Sequence, residues 1–371
     1  MSKHRSVPQR VRTAVTTVAV SLVISATGIV GAPTATAAPA ANALPVAAAE
    51  PATQTVPLVA EPFDGVDDMV WANGHLFVTS VNQVKVLDPD GKIVKRFKRL
   101  PGAYDMAVSP KGDRVYVVVP GYAFIAVIDT KRLKVIDQLK TDTCAFGVAL
   151  VGSRLFYSTR KCDHLATIKS IDAKKGGKPK STGIKGFYDH ILIAGGGNTL
   201  VTYNPDPDGN PYAIKSWRVK GSKVSRKATH EDGVTSLAVS HDDKRVYVTR
   251  DYQQEATSFA LPGLDHPKAY THSGGSNVSS LAVSPDGKHV ALALTNTDDD
   301  LLVFRTGEKT PSWAGRTAWT GPSSTHPIPV PKTLAYSGDG KRLFELVAEP
   351  GSPVDDPHST HTQVYFVTAR V

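Results

Sequence analysis

Seven imperfect copies of one strand pattern, filling most of the chain, predict an all-β ring: a seven-bladed β-propeller with four-stranded blades. Three observations carry the prediction. Short apolar runs alternate with Pro, Gly and Asp turns at hairpin spacing, as in residues 104–139 (YDMAVSPKGDRVYVVVPGYAFIAVIDTKRLKVIDQL). The pattern returns every 37–53 residues, the range of propeller blades. One such sheet cannot bury both faces alone, so it needs copies of itself as neighbours.

Ahead of the repeats stands a segment with no place in the ring. Lys3, Arg5, Arg10 and Arg12 precede a largely apolar stretch at residues 14–30, and Ala35-Thr36-Ala37 fits a small-residue cleavage site. Residues 1–37 therefore read as a secretory (Sec) signal peptide, without a twin-arginine pair. Residues 38–53 are an Ala/Pro-rich leader expected to be disordered. The domain proper is expected over 54–371. No later stretch is apolar for long enough to cross a bilayer, and no membrane anchor is expected. After cleavage, 39 basic residues face 34 acidic ones, a balance of +5 that makes no demand for nucleic acid. An extracellular address is expected. In that oxidising setting Cys144 and Cys162 are expected to form a disulfide, worth roughly 3 kcal/mol in the chain-entropy account.

The copies start near Asp68, Tyr104, Gly147, His190, Ser236, Ser280 and Thr333, with first-strand reference residues at Met69, Met106, Val148, Ile191, Leu237, Leu281 and Leu334. The last copy holds only three strands before Val371. Residues 55–60 (TVPLVA) have no partner of their own, so they are expected to complete blade 7 as its outer strand. Closure matters because an open ring exposes edge strands.

RVYVVVPGYAFIAVIDTKRLKVIDQL in the second copy resembles the YVTN-repeat (YncE-like) propellers. SPDGKHVALAL at residues 284–294 is similar to the turn shared by those proteins and the lactonase-like propellers. The resemblance covers residues 55–371. It implies a seven-bladed ring, often exported, and it brings no shared catalytic motif.

The residue before each reference position should line the mouth of the central channel: Asp68, Asp105, Gly147, His190, Ser236, Ser280 and Thr333. Asp68, Asp105 and His190 are the candidates for acid/base work or for a hard cation, because carboxylates and imidazole suit both. Tyr104, Phe146, Phe187 and Tyr188 gather at the same mouth, where rings stack on sugars or peptides and equally pack between blades. Asn204, Asp206 and Asp208 place oxygen at alternate positions before Gly209, like the start of a calcium loop, but Lys215 stands where its glutamate belongs. Calcium is the cofactor such residues would take. Asp298-Asp299-Asp300 reads as a solvated hairpin tip. Asp355, Asp356, His358 and His361, and His230-Glu231-Asp232, read as exposed acidic loops. Lysines concentrate on third-to-fourth turns and outer strands, from Lys92 to Lys227, which predicts an electrically two-sided molecule. No nucleophile elbow, His-Glu-x-x-His, phosphate loop or haem motif occurs in the sequence.

Two functions follow as expectations. The first is a monomeric binding protein that offers its loop face to an extracellular protein, peptide or glycan. The alternative is a lactonase-like or metal-assisted hydrolase or lyase using Asp68, Asp105 and His190.

Overall fold

The computed structural model describes residues 54–56, 58–63, 65–80, 83–142, 144–159, 165–187, 191–204, 213–250, 255–271, 277–295, 300–317, 328–348 and 364–371. The expected signal peptide and leader lie outside them. Seven sheets follow one another along the chain; five are antiparallel meanders whose strand order in space is their order in sequence, and the last two each also take in an N-terminal strand. Blade 2 is the simplest: Met106–Val108, Arg114–Val119, Phe124–Asp129 and Lys134–Lys140. Its second and third strands are β-branched, and it turns where Gly112 supplies a positive φ. Each first strand contacts the first strand of the next blade, and Ile328–Tyr336 of blade 7 returns to Val66–Ala72 of blade 1. The ring has seven blades and is closed.

Seven apolar clusters hold it, one in each seam between blades. The strands alternate faces, so successive apolar residues serve opposite seams. In blade 7, Phe344 and Leu346 face blade 1, while Leu343 and Val347 face blade 6. The seam between blades 7 and 1 is aromatic: Trp71 stacks on Phe344 at 5.2 Å, and Phe344 on Phe366 at 5.9 Å.

The N-terminal strand closes the ring with a shift from expectation. The outer place of blade 7 is taken by Leu58–Phe63, antiparallel to Val364–Arg370. Residues 54–56 instead add a fifth, parallel strand to blade 6, with Val56 opposite Thr317. The sequence offers a reason in Pro57, which has no N–H for either ladder and separates the two pieces.

Four blades share one turn. Ser240, Ser284 and Ser337 donate to Asp242, Asp286 and Asp339 two residues on, while accepting the N–H of the residue that opens the second strand. Blade 2 closes the same loop from Ser109 to Asp113. The Ser-Pro-Asp-Gly resemblance is thus a turn requirement of the architecture.

Removing residues 1–63 should leave blade 7 with three strands and an open edge. We expect a lower Tm and oligomers in size-exclusion chromatography. Removing residues 1–57 spares Leu58–Phe63 and should leave a monomeric ring. Equal behaviour of the two truncations would show that Leu58–Phe63 does not close it.

Candidate binding site at the channel mouth

The first strands bring Asp68 and Asp105 to one cavity of about 290 Å³, together with Ser236 and Lys332. Both carboxylates are buried and both are already employed. Asp68 Oδ2 accepts the N–H of Met106 in blade 2 at 2.7 Å, and Asp105 Oδ2 accepts that of Val148 in blade 3 at 2.6 Å. Each aspartate therefore straps its blade to the next. The series stops at blade 3, where the corresponding residue is Gly147, whose own N–H is taken by Ser158 Oγ at 2.9 Å. Thr79 does the same for Asp68 at 2.8 Å.

Sequence reasoning missed Lys332. It precedes Thr333 in blade 7, holds a left-handed φ of 61°, and reaches Asp105 Oδ1 at 3.6 Å. Its ammonium also lies 6.0 Å from the centre of the Tyr104 ring. A basic residue two places before a reference position was the available signal. Burial alone would lower the Lys332 pKa, but the charges of Asp105 and Asp68 outweigh it and raise the group. Burial, then the Asp105 charge, pushes the Asp68 carboxyl well above its usual value, against the pull of Lys332 and the Met106 N–H. Lys332 thus stands where a cation between the two carboxylates would sit.

Blade 4 departs from the expected register. Leu237, Leu281 and Leu334 pair with Val248, Leu292 and Glu345, and the matching second-strand residue in blade 4 is Thr202, opposite Ile193. The reference position is therefore Ile193, not Ile191, and the residue before it is Leu192. Counting back three from Gly196, ahead of the two-residue turn, gives this answer, as it does from Ala72 in blade 1 and Val151 in blade 3. His190 itself lies outside the described residues, as do Tyr188, Asp206, Asp208 and Cys162. Asn204 ends the second strand of blade 4. Cys144 is a free thiol among the described residues.

Tyr104 and Phe146 meet edge to face, centroids 5.4 Å apart, both half-buried beside the cavity. Asp232 is clamped by Arg250 through two bonds of 2.7 and 2.6 Å, so this acid is part of an ion pair rather than an open loop. Residues 195–197 belong to the blade 4 hairpin, where a side chain at Gly195 would collide with Val151 of blade 3 and one at Gly196 or Gly197 with Asp243 of blade 5. At the opposite end of the channel the hairpin turns enclose a larger space of about 1420 Å³. Among the described residues no group of three or more His, Cys, Asp or Glu side chains converges on a common point. Lysines are exposed on outer strands around much of the ring: Lys95, Lys134, Lys178, Lys180, Lys223 and Lys227 in blades 1–4 and Lys268 in blade 5.

With this geometry in view, the chain is similar to several solved structures. One is the hydrazine synthase of Kuenenia stuttgartiensis, at 13% identity, covering 84% of this chain and 97% of that one with a TM-score of 0.57. Another is the β-propeller domain of Cps50 (Swd1) from Myceliophteria thermophila, at 9% identity, 83% and 97% coverage and a TM-score of 0.54. A third is KlHsv2 with its loop 6CD replaced by a Gly-Ser linker, at 11% identity, 83% and 99% coverage and a TM-score of 0.53. At these identities the likeness is one of fold. No family model and no curated protein matches the sequence.

Two outcomes test the mouth. Lys332→Met leaves the carboxylates without their ammonium and should cost about 1–3 kcal/mol in chemical denaturation, a third of that side chain being exposed. The raised Asp68 carboxyl holds its proton more tightly folded than unfolded. Its contribution to stability is thus full below about 3.8 and lost as pH rises through the folded value. Asp68→Asn should flatten that slope; an unchanged slope would show that Asp68 does not titrate there.

Proposed function

We propose that this chain is an exported propeller of the YVTN-repeat type that works by binding, offering its loop face to an extracellular protein, peptide or glycan. The observation that carries the reading is the ledge formed by Tyr104 and Phe146, half-buried, mutually braced and set beside the Lys332 ammonium. Rigid aromatic faces next to a fixed cation suit sugars and peptides, since they give contact area at little entropic cost. The carboxylates below the ledge are occupied in holding blades together, which supports recognition over turnover.

One observation favours the enzymatic alternative, a lactonase-like or metal-assisted hydrolase or lyase. Asp68 is a buried carboxyl with a raised pKa in a polar cavity, the condition of a general acid. Its partner in that reading would be Lys332 as much as His190.

A glycan and peptide array probed with the wild-type chain and with the Tyr104→Ala/Phe146→Ala variant separates these readings. Binding by the wild type and at least tenfold weaker binding by the variant is the expected result. Array silence, with lactone or ester hydrolysis lost in Asp68→Asn, would overturn it. Export carries its own expectation: protein recovered from the medium should hold Cys144 and Cys162 as a disulfide, resistant to alkylation until reduced.

A further inference from the structure

The residues two places before each reference position form a rim above the Asp68–Asp105 floor of the channel mouth. Tyr104, Phe146 and Lys332 all hold this place, in blades 2, 3 and 7, while blades 5 and 6 hold the small Thr235 and Ser279. Blade 1 adds a further acid there, Asp67. The aromatic ledge and the ammonium are thus members of one ring of positions.

Lys332 reaches the mouth through a break in its own sheet. Pro329 and Pro331 have no N–H for the ladder, and the pairing register of this strand shifts between Pro329 and Leu334. Lys332 takes a φ of 61° within that bulge, a conformation that side chains other than glycine adopt only at a cost. Thr333 fixes the bulge, its hydroxyl lying 2.7 Å from the carbonyl of Val330 and 3.2 Å from that of Leu346. Bulges re-aim side chains, and this one carries the ammonium past blade 1 to Asp105 of blade 2, at 3.6 Å. Strain maintained for the sake of one charged side chain points to a function for that side chain.

The charges at the mouth do not balance. Asp105 has Lys332 within ion-pair distance. Asp68 has the backbone N–H groups of Met106 and Met69, but among the described residues no ammonium or guanidinium lies as close to it. Burial and the Asp105 charge push its carboxyl up even with Lys332 in the same cavity, so one ammonium does not offset two carboxylates. The mouth favours one more cation and disfavours an anion.

The shape of that cation follows from the surroundings. A guanidinium binds best to a carboxylate with both oxygens free, and each aspartate has given its Oδ2 to a backbone N–H of the next blade. A compact ammonium needs one oxygen. Lys332 itself shows that a lysine head fits here, 6.0 Å from the centre of the Tyr104 ring. A cavity of about 290 Å³ admits such a head on its stem.

We infer that the channel mouth reads a lysine side chain of a peptide or protein partner, seating its ammonium on Asp68 below the Tyr104–Phe146 ledge while Lys332 holds Asp105. The inference rests on the binding reading of this face and names what is bound. Lys332 sets the specificity: by neutralising one carboxylate it leaves a seat for a single positive charge.

The test is an array of lysine-centred pentapeptides, each present also with Nε-acetyllysine, beside chitosan and N-acetylglucosamine pentamers. It is probed with the full mature chain at graded concentrations. Free-lysine peptides should bind about tenfold tighter than their acetylated twins, the worth of one charge-assisted bond. Asp68→Asn, which keeps an acceptor for the Met106 N–H, should abolish that difference. Lys332→Met should bind free-lysine peptides severalfold more tightly, because Asp105 then lacks a cation too. Weaker binding by Lys332→Met would mean that Lys332 reads an anion and would overturn the inference. So would a preference for free lysine that survives Asp68→Asn, or capture of chitosan with no peptide bound. Acetylated and free peptides that bind alike, with loss in Tyr104→Ala/Phe146→Ala, would remove the lysine seat and leave the binding reading standing. Silence on every peptide and glycan would remove both.

Discussion

Every sheet of this molecule is apolar on both faces, and only a ring gives both faces a partner. The smallest seam clusters contain eight buried side chains. At about 1.5–3 kcal/mol for each large one, a single seam represents on the order of 10 kcal/mol as an upper estimate, comparable with the whole net stability of a domain. No seam is dispensable. Closure therefore decides the fold, and the devices that secure it are concentrated where the chain begins and ends: the Trp71–Phe344–Phe366 stack, and the N-terminal pieces on the edges of blades 6 and 7.

The fold was legible because period-two patterning and turn residues are local signals. The Ser-x-Asp turns of blades 5, 6 and 7 announce themselves within five residues, and the structure shows why: one hydroxyl bridges the aspartate and the N–H that opens the next strand. Register was less legible in blade 4. Ile191 and Ile193 lie on the same face, two residues apart, so either satisfies the hydrophobic pattern, and only the count from the hairpin turn separates them. The site was legible in part. Asp68 and Asp105 sit at the channel mouth because their strand positions put them there, but their bonds run to Met106 and Val148, 38 and 43 residues away. Lys332 comes from the opposite end of the chain, and nothing local couples it to Asp105.

The two buried carboxylate pairs solve one electrostatic problem in different ways. Removing a carboxylate from water is costly unless hydrogen bonds and an opposite charge replace the solvent. At the channel mouth both replacements come from the chain: backbone N–H groups of the next blade and the Lys332 ammonium. Between blades 6 and 7, Asp300, which is 1% exposed and not a solvated tip, has its backbone N–H, but Glu345 has neither. A leucine or valine would fill that second-strand position, opposite Leu334, at no electrostatic cost, as it does in blades 1, 2, 5 and 6. Burial and then the charge of Asp300 drive the Glu345 carboxyl toward its protonated, neutral form, which lessens the charge that burial penalises.

The outer rim follows the same logic of location. Fourth strands must be kept from pairing with other molecules, and lysine or proline can each do this. The fourth strand carries Pro311 in blade 6 and Pro62 in blade 7, blades 1, 2 and 4 rely on lysine, and blades 3 and 5 carry both, as Lys178 with Pro179 and Lys268 with Pro267. Blades 1–3 also carry the Asp68 and Asp105 straps and the Tyr104–Phe146 ledge. The strands that carry the aromatic ledge are thus themselves strapped across their seams, which gives a preorganised surface.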